Sequence, residues 1–307
     1  MKRLIAICGP TGSGKSDLAL AVADRVKSSI VNYDSIQIYR EFDIGSAKLP
    51  AQQRAGVPHH LIDYLDPDAE FTAADYGRAS YSICRDLNVR GETPILAGGT
   101  GFYLRALLSA LPELPPKSAE TRARLLKIWA KRGGPRHLFS LLRRVDPESA
   151  SRIDPANMHR VTRAVEVWKE SGRPLSSWKA PDASSPRRFN ALLLGLAVDR
   201  TLLIRKLETR VDEMYSKGLV EEAEAIARKW GRTIAPLSSI GYREALELLD
   251  GKLSREEAIA ETKRRTRAYA KRQMTWFRGE QGVHWLDGDG NRASLVQEAV
   301  SVIESWG

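Results

Sequence analysis

The first residues suited to chemistry by type and spacing form a glycine-rich segment near the N-terminus. It reads Gly9-Pro10-Thr11-Gly12-Ser13-Gly14-Lys15-Ser16 and matches the phosphate-binding pattern G-x-x-x-x-G-K-[ST] at every position. In such a loop, backbone N–H groups and the dipole of the following helix attract phosphate oxygens. Lys15 adds a positive charge, and the Ser16 hydroxyl can bind Mg²⁺. The segment therefore predicts a site for two linked phosphates.

The pattern alone does not decide between ATP and another pyrophosphate compound. P-loop NTPases usually place an Asp after an apolar strand to position the metal. The candidate strand here, Pro94 to Ala97, is followed by Gly98-Gly99-Thr100-Gly101, which contains no carboxylate. Any pyrophosphate ester would satisfy the loop.

Two further segments follow strand-like runs, where the ligands of open parallel sheets bind. Asp34-Ser35 follows the run Ser29 to Tyr33. Asp34 can act as a general base, hold a metal or cap a turn, and its place beside a P-loop favours the functional roles. In the Gly98–Gly101 segment, Thr100 can donate to a phosphate oxygen or cap a helix, and its residue type leaves both roles open.

The elements that must position these residues alternate between strand and helix. The P-loop lies between an apolar run, Leu4 to Cys8, and an amphipathic run, Lys15 to Lys27, and further helices are predicted over Ala73–Val89 and Phe102–Ser109. This order predicts an α/β fold, namely a P-loop NTPase-like parallel sheet flanked by helices.

An all-helical insertion domain is expected within this core. Proline-rich stretches at Leu111–Pro116 and Ala180–Pro186 flank a region with helical periodicity only. We therefore predict a first part of the core at 1–114, a helical insertion at 115–190, and the remainder of the core at 191–307. That last part starts with a strand-like run, Ala191–Val198, and is mostly helical up to about His284.

Composition limits the class of protein. The 307 residues contain 48 Lys and Arg against 38 Asp and Glu, a net charge of +10, which favours a polyanionic partner such as nucleic acid or an anionic membrane surface. No run approaches the roughly 20 apolar residues that span a bilayer. Cys8 and Cys84 form no CxxC pair, which fits a reducing cytoplasm. We interpret Cys8 as a core residue and His59-His60 as structural.

The segment 263–278 is strongly basic, with seven Lys and Arg and no acidic residue. At helical spacing Arg264, Arg267 and Lys271 share one face, whereas Tyr269 and Gln273 lie towards another. Because the segment contains no Glu at i,i+4 to neutralise these cations, a phosphate-binding face is favoured over a merely solvated one.

Taken together, these segments resemble the tRNA dimethylallyltransferase (tRNA isopentenyltransferase) family over nearly the whole chain. Besides the P-loop, the resemblance depends on the segments Asp34–Arg40, Asp43–Lys48, Gly98–Tyr103, Arg163–Val167, Ile240–Glu244 and Ala270–Arg278. Gly101, His159 and Ser239 depart from the family pattern. A zinc-finger pattern like that of eukaryotic relatives is absent from the sequence, so we expect the bacterial type.

The resemblance implies transfer of a dimethylallyl group from dimethylallyl pyrophosphate to N6 of the adenosine at tRNA position 37, beside the anticodon. It implies that Asp34 is the general base, that Thr100 and Arg210 stabilise the pyrophosphate, and that Gly9 to Ser16 bind it, with Mg²⁺ at Ser16. It also implies tRNA contacts from Asp34, Ser35, Ile36, Gln37, Thr100, Arg122, His159, Arg160, Val161, Thr162, Arg163, Ser238, Ser239, Ile240, Gly241, Tyr242 and Arg243. We expect a cytoplasmic monomer that binds the tRNA anticodon stem-loop and no membrane.

Three alternatives stay open at this point. An adenylate isopentenyltransferase would act on free AMP and would need neither the insertion nor the basic helix. A P-loop kinase would need a metal-positioning Asp, which the sequence lacks at the expected place. A non-catalytic RNA-binding protein would leave the complete P-loop unexplained.

Overall fold

The computed structural model describes residues 2–178 and 187–306. Its sheet has six strands, all parallel, in the order β3-β2-β4-β1-β5-β6. The strands are β1 (Arg3–Cys8), β2 (Ile30–Asn32), β3 (His59–His60), β4 (Ile95–Ala97), β5 (Asn190–Ala197) and β6 (Val283–Asp287). The predicted fold class, a P-loop-like parallel sheet flanked by helices, is confirmed.

The helices that accompany the sheet are α1 (Lys15–Val26), α2 (Ala73–Val89), α3 (Gly101–Ser109), α8 (Arg200–Ser216), α9 (Leu219–Trp230), α10 (Tyr242–Leu249), α11 (Arg255–Arg278) and α12 (Arg292–Trp306). Those between β4 and β5 are α4 (Ala119–Trp129), α5 (Gly134–Val145), α6 (Pro147–Arg152) and α7 (Met158–Ser171). Short 3₁₀ turns occur at Ala51–Gln53, Leu175–Ser177 and Ala235–Ser238.

Strand β1 lies at the centre of the sheet because its side chains are apolar on both faces. Leu4 and Ala6 pack into the cluster on one face, whereas Ile5 and Ile7 pack into the cluster on the other. Such two-sided burial is typical of strands that helices cover on both sides. Cys8 ends the strand fully buried, as its interpretation as a core residue required.

The strand order brings three loops together at one edge of the sheet. β1 pairs with β4, and β4 pairs with β2, so the segments after these strands are neighbours. They are the P-loop, the Gly98–Gly101 loop and the loop that starts at Tyr33. This is the carboxyl edge, where open parallel sheets bind ligands.

Three elements were not predicted from the sequence: β3, α12 and β6, where only the end of a helical region was expected. His59 and His60 form the short edge strand β3, whose pairing with β2 is too brief to leave a periodic pattern. α12 follows the last strand and packs Ala299 into the cluster that also holds β1 and α1 residues. The Ala180–Pro186 stretch lies outside the described residues.

The described chain divides into two compact units, 2–110 with 187–306 and 111–178. The second unit is entirely helical in its described part, and α5 packs on both α6 and α7 around Leu138, Leu142 and Val161. This unit holds 14 Lys and Arg against 7 Asp and Glu. Most of the net charge of the chain is thus concentrated in 68 residues.

In the described ranges 2–178 and 187–306, no helix is both long enough and apolar enough to cross a bilayer.

Candidate functional site

The P-loop has a backbone conformation that favours glycine at two of its positions. Gly12 and Gly14 have φ angles of 78° and 86°, in the left-handed region that side chains disfavour. A Cβ on Gly12 would lie 2.8 Å from Leu207 of α8, so that residue must also stay small. α1 begins at Lys15, directly after Gly14, and its N-terminus points its free N–H groups at the loop.

Lys15 is the buried cation of the loop, with 9% of its surface exposed. Its Nζ donates a 2.6 Å hydrogen bond to the carbonyl oxygen of Pro10. Burial, followed by the nearby positive charge of Arg210, lowers the pKa of Lys15 to about 8, while Asp34 acts in the opposite direction. The charged form of Lys15 is thus unfavourable in the ligand-free protein, and an anionic ligand would stabilise it.

Asp34 has one carboxylate oxygen used by the fold and one that is free. Oδ1 accepts hydrogen bonds from the backbone N–H of Ile36 at 2.9 Å and of Gln37 at 3.3 Å, so the turn-capping role considered from the sequence is present. Oδ2 accepts no hydrogen bond among the described residues, and it lies 4.0 Å from where a Cβ on Gly99 would be. A general base and a cap are therefore compatible in one side chain.

Thr100 lies at the N-cap position of α3, yet its side chain makes no capping hydrogen bond. Its Oγ1 instead accepts from the Ser35 backbone N–H at 3.1 Å and donates to the Ser35 hydroxyl at 3.3 Å. A Cβ on Gly98 would lie 2.5 Å from the Tyr33 carbonyl carbon. Glycine at position 98 therefore allows the Gly98–Gly101 loop to pack against the loop that starts at Tyr33.

Arg210 extends from α8 towards the same place. Its Nη2 lies 3.5 Å from the carbonyl oxygen of Ser46, which also accepts from the Gln37 side chain at 3.1 Å. Burial lowers the pKa of Arg210, and the charge of Asp34 opposes that change. An arginine stays charged under such conditions, so the site has two cations, Lys15 and Arg210, facing one carboxylate.

Two cavities share this site. The larger has a volume of about 540 Å³ and is lined by residues 11–16 of the P-loop, Asp34, Gly99, Arg210 and Gln273. The smaller has about 280 Å³ and is more apolar. Thr11, Asp34 and Arg210 border both. The smaller one adds Ile36, Leu207, Val211, Met214, Ile240 and Tyr269.

Helix α11 contributes residues that the sequence did not assign to the site. Gln273, 5% exposed, bonds both the P-loop and the Gly98–Gly101 loop, and Tyr269 lines the smaller cavity. Burial raises the pKa of Tyr269, and hydrogen bonding to Thr100 and Gln273 acts in the opposite direction. In the sequence, Tyr269 and Gln273 shared a helix face away from the cations, but this pattern predicted only packing on the core and no role in the site.

The premise that the cations of α11 lack acidic partners is wrong for four of the seven. Arg264 pairs with Glu261, just outside the segment considered. Helices α8 and α10 supply the other acids, in the pairs Lys263–Asp212, Arg267–Glu208 and Arg265–Glu244. Lys271, Arg272 and Arg278 form no ion pair within the described part of the chain. Tertiary packing, which sequence spacing does not show, provides the neutralising charges.

The segment 238–243 contains both exposed and buried residues. Ser238 and Arg243 are exposed, and Ser238, Ser239 and Ile240 line the smaller cavity. Gly241 is the N-cap residue of α10 and has a φ angle of 93°. The Tyr242 side chain is fully buried and donates to Glu222, so it has no surface to offer a ligand.

In the helical unit, the residues predicted to bind tRNA lie on α4 and α7. His159 and Arg160 are exposed, and Arg122 is partly exposed. Arg163 pairs with the buried Glu166 and donates to the Pro115 carbonyl. Val161 and Thr162 are buried, and their side chains support the unit from inside.

Comparisons with known proteins agree with this geometry. The family model for IPP transferase matches residues 37–280, and that for isopentenyl transferase matches residues 2–63. A tRNA dimethylallyltransferase of Koribacter versatilis is 44% identical, with 98% of each chain covered. One of Solibacter usitatus is 46% identical, with 99% of this chain and 98% of the relative covered.

Solved structures agree as well. The tRNA isopentenylpyrophosphate transferase of Bacillus halodurans has a TM-score of 0.75 at 34% identity, covering 100% of this chain and 97% of that one. A eukaryotic dimethylallyltransferase acting on tRNA has a TM-score of 0.80 at 27% identity, covering 100% of this chain and 79% of that one. Because the relatives match almost end to end and the loops meet as such a site requires, the chain belongs to the tRNA dimethylallyltransferase family.

Proposed function

We propose that the protein transfers the dimethylallyl group of dimethylallyl pyrophosphate to N6 of the adenosine at position 37 of tRNA. The observation that carries the proposal is the meeting of the P-loop, Asp34, Gly98 and Gly99 around one cavity, which Arg210 also lines. Thr100 directly follows Gly99 and is hydrogen-bonded to Ser35, next to Asp34. This places phosphate-binding groups next to a carboxylate with a free oxygen. Membership of the family supports tRNA as the acceptor.

The P-loop would bind the pyrophosphate as a leaving group. When the allylic C–O bond breaks, negative charge develops on the pyrophosphate, and fixed positive charges and N–H donors stabilise it without reorganisation. Lys15 and Arg210 provide the charges, and Thr100 can turn its hydroxyl from Ser35 towards a phosphate oxygen. The lowered pKa of Lys15 fits this role because a bound anion would stabilise the buried ammonium group and raise that pKa again.

Mg²⁺ is the metal that fits the residues present. Among residues 2–178 and 187–306, no group of three His, Cys, Asp or Glu side chains could hold a metal. A protein-only cage is therefore unsuited, whereas Mg²⁺ needs few protein ligands and takes phosphate oxygens and water. The exposed Ser16 at the start of α1 would provide one ligand. When bound, the ion would neutralise charge on the pyrophosphate.

Asp34 would take the proton from the adenine amine. A bond forms between N6 and the allylic carbon as the C–O bond breaks, and one N6 proton must leave for the product to be neutral. The free Oδ2 of Asp34 lies 4.0 Å from where a Cβ on Gly99 would be, and both residues line the larger cavity. The capping bonds to Oδ1 hold the carboxylate in place. A general base needs this kind of fixed position within reach of the proton.

The smaller cavity would hold the dimethylallyl group and the target base. Its apolar lining from Val211, Met214 and Ile240 suits a five-carbon chain, and it touches Asp34 and Arg210 at one end. An adenine that reacts there must leave its stack in the anticodon loop. The apolar wall also limits access of water to the allylic carbon, which would otherwise be hydrolysed.

Contacts with tRNA would come from both units. The helical unit has twice as many basic as acidic residues, which suits phosphate backbone contacts. His159, Arg160 and Arg122 offer exposed or partly exposed side chains there. In the core unit, exposed Arg243 of α10 and Lys271 of α11 would contribute. We also propose that the enzyme acts as a monomer in the cytoplasm.

Labelled dimethylallyl pyrophosphate tests the proposal when offered with a tRNA that has A37, the same tRNA with G37, AMP, or no acceptor. We expect label only in the tRNA with A37. Label in AMP would support an adenylate isopentenyltransferase, and phosphorylation from ATP without prenyl transfer would support a kinase. Binding of tRNA without any transfer would indicate an RNA-binding protein that is not an enzyme.

The role of Asp34 is tested with Asp34→Asn, which keeps a cap acceptor but removes the base. General-base catalysis contributes about 100- to 10,000-fold, and we expect a loss of kcat in this range with tRNA still bound. Asp24→Asn, on the exposed surface of α1, is the matched control and should transfer normally.

A further inference from the structure

We propose that Gln273 is a positioning residue that fixes the separation between the P-loop and the Gly98–Gly101 loop during prenyl transfer. The inference builds on the proposed function, because both loops are assigned there to the pyrophosphate. Gln273 lies on α11, within the Ala270–Arg278 segment, and the sequence pattern assigned it no individual role.

The side chain of Gln273 bridges the two loops with both ends of its amide. Its Oε1 accepts from the backbone N–H of Thr11 at 2.8 Å, and its Nε2 donates to the carbonyl oxygen of Gly99 at 2.9 Å. The side chain is 5% exposed, so these bonds form away from bulk water. Among the described residues, it is the one side chain that hydrogen-bonds both loops.

The fit between α11 and the Gly98–Gly101 loop is close at two points. A Cβ on Gly99 would lie 2.1 Å from Nε2 of Gln273. A Cβ on Gly101 would lie 2.2 Å from the indole of Trp276, one turn further along the helix. Two glycines are thus required by side chains of α11, which sets the loop against the helix as well as against the sheet.

This bridge connects loops that the proposed function assigns to pyrophosphate binding. Thr11 belongs to the P-loop and lines both cavities, and Gly99 directly precedes Thr100. Tyr269, one turn before Gln273, lies beside Thr100. An error in the loop separation would misplace Thr100 relative to the charges of the P-loop. Since those groups act on charge that develops in the transition state, kcat should suffer more than substrate binding.

The first test is Gln273→Met, which keeps the volume of the side chain and removes both hydrogen bonds. Two buried hydrogen bonds at about 1 kcal/mol each correspond to about 30-fold, so we expect kcat to fall by about 10- to 100-fold. The KM for dimethylallyl pyrophosphate should change less than about 3-fold. Thr275→Ala, an exposed position on the same helix, is the matched control and should keep the wild-type kcat.

The second test is Gln273→Glu measured over pH 5.5 to 8. When ionised, the carboxylate can still accept from Thr11 but presents an oxygen instead of a donor to Gly99. When protonated, it can make both bonds again. The activity of this variant divided by that of wild type should therefore rise as the pH falls, whereas the ratio for Thr275→Ala stays constant. Because ionising a buried carboxylate also lowers stability, urea unfolding of Gln273→Glu is measured at the same pH values. A recovery of activity that only follows the folded fraction would indicate a packing role, whereas a recovery of kcat in folded protein indicates the bridge.

The outcomes separate the inference from the proposed function. If wild-type protein transfers no prenyl group to tRNA, the proposed function fails. If wild type transfers normally and Gln273→Met has a wild-type kcat, or the ratio for Gln273→Glu is flat with pH, the bridge is not needed for positioning and the inference is overturned. Loss of kcat together with the pH-dependent recovery supports it, and the Gln273→Glu arm stands even if Gln273→Met folds poorly.

Discussion

Lys15→Met should make the ligand-free protein more stable while abolishing pyrophosphate binding. The pKa of Lys15 falls from 10.5 to about 8, and each tenfold change in an equilibrium is worth about 1.4 kcal/mol, so the buried charge costs the fold about 3 kcal/mol at pH 7. Met fills a similar volume without the charge. The variant also loses the hydrogen bond to the Pro10 carbonyl oxygen, which lowers its free energy of unfolding by about 1 kcal/mol. We therefore expect the free energy of unfolding to rise by about 2 kcal/mol.

The pH dependence of this difference follows from proton binding. Below pH 8 both folded and unfolded Lys15 are protonated, and the full cost is present. Between pH 8 and 10.5 the unfolded chain binds more protons, so wild type gains stability as the pH rises. The advantage of Lys15→Met should thus be largest at pH 7 and should vanish at about pH 9.5. Above that pH the hydrogen bond to Pro10 leaves wild type slightly more stable.

Urea unfolding of ligand-free protein at pH 7, 9 and 10 measures this effect. Lys217→Met, which removes an exposed lysine paired with Glu213, is the control and should change stability by less than about 0.5 kcal/mol. A Lys15→Met variant that is less stable than wild type at pH 7, or whose advantage persists unchanged to pH 10, would refute the reasoning.

Three further predictions concern the loops and the thiols. Thr100→Val should lower kcat/KM about 10- to 100-fold in steady-state assays, because the hydroxyl is lost at constant volume, whereas Thr100→Ser should retain most activity. Gly98→Ala should cost about 3 kcal/mol or more in urea unfolding, since the added Cβ would lie 2.5 Å from backbone. Gly290→Ala, whose nearest contact would be 3.6 Å, should be almost neutral. Native protein should not react with a thiol reagent at pH 8, because burial raises the pKa of both Cys8 and Cys84 to about 12; urea-unfolded protein should show two reactive thiols.

The local sequence pattern was sufficient to predict structures that depend on one contiguous segment of the chain. The P-loop combines a strand, a glycine turn and a helix N-terminus within a single stretch, so its structure follows from spacing alone. Helix α2 was predicted over Ala73–Val89 and has those bounds, because Thr72 and Asp75 form a capping box at its start. The parallel sheet also followed from the alternation of strands and helices.

Properties that depend on contacts between separate segments of the chain could not be predicted from the sequence. The acids that neutralise Lys263 and Arg265 lie on α8 and α10, far from α11 in sequence. The two-residue strand β3 exists because β2 offers a free edge, and its own residues show no strand pattern. Buried positions such as Tyr242 appeared in the sequence as contact candidates because motif matching does not distinguish a ligand-binding residue from one that supports the fold.

The sequence by itself determined the strand–glycine turn–helix structure of residues 3–26, the α/β class and the family, because these depend on residues close together in the chain. The tertiary structure decided that the P-loop, Asp34 and Arg210 surround one cavity and that Gln273 connects two loops. Those relations depend on the strand order β2-β4-β1 and on the packing of α8 and α11. Contacts between residues more than 170 positions apart carry no local signal, since they arise only when the whole sheet and its helices have assembled.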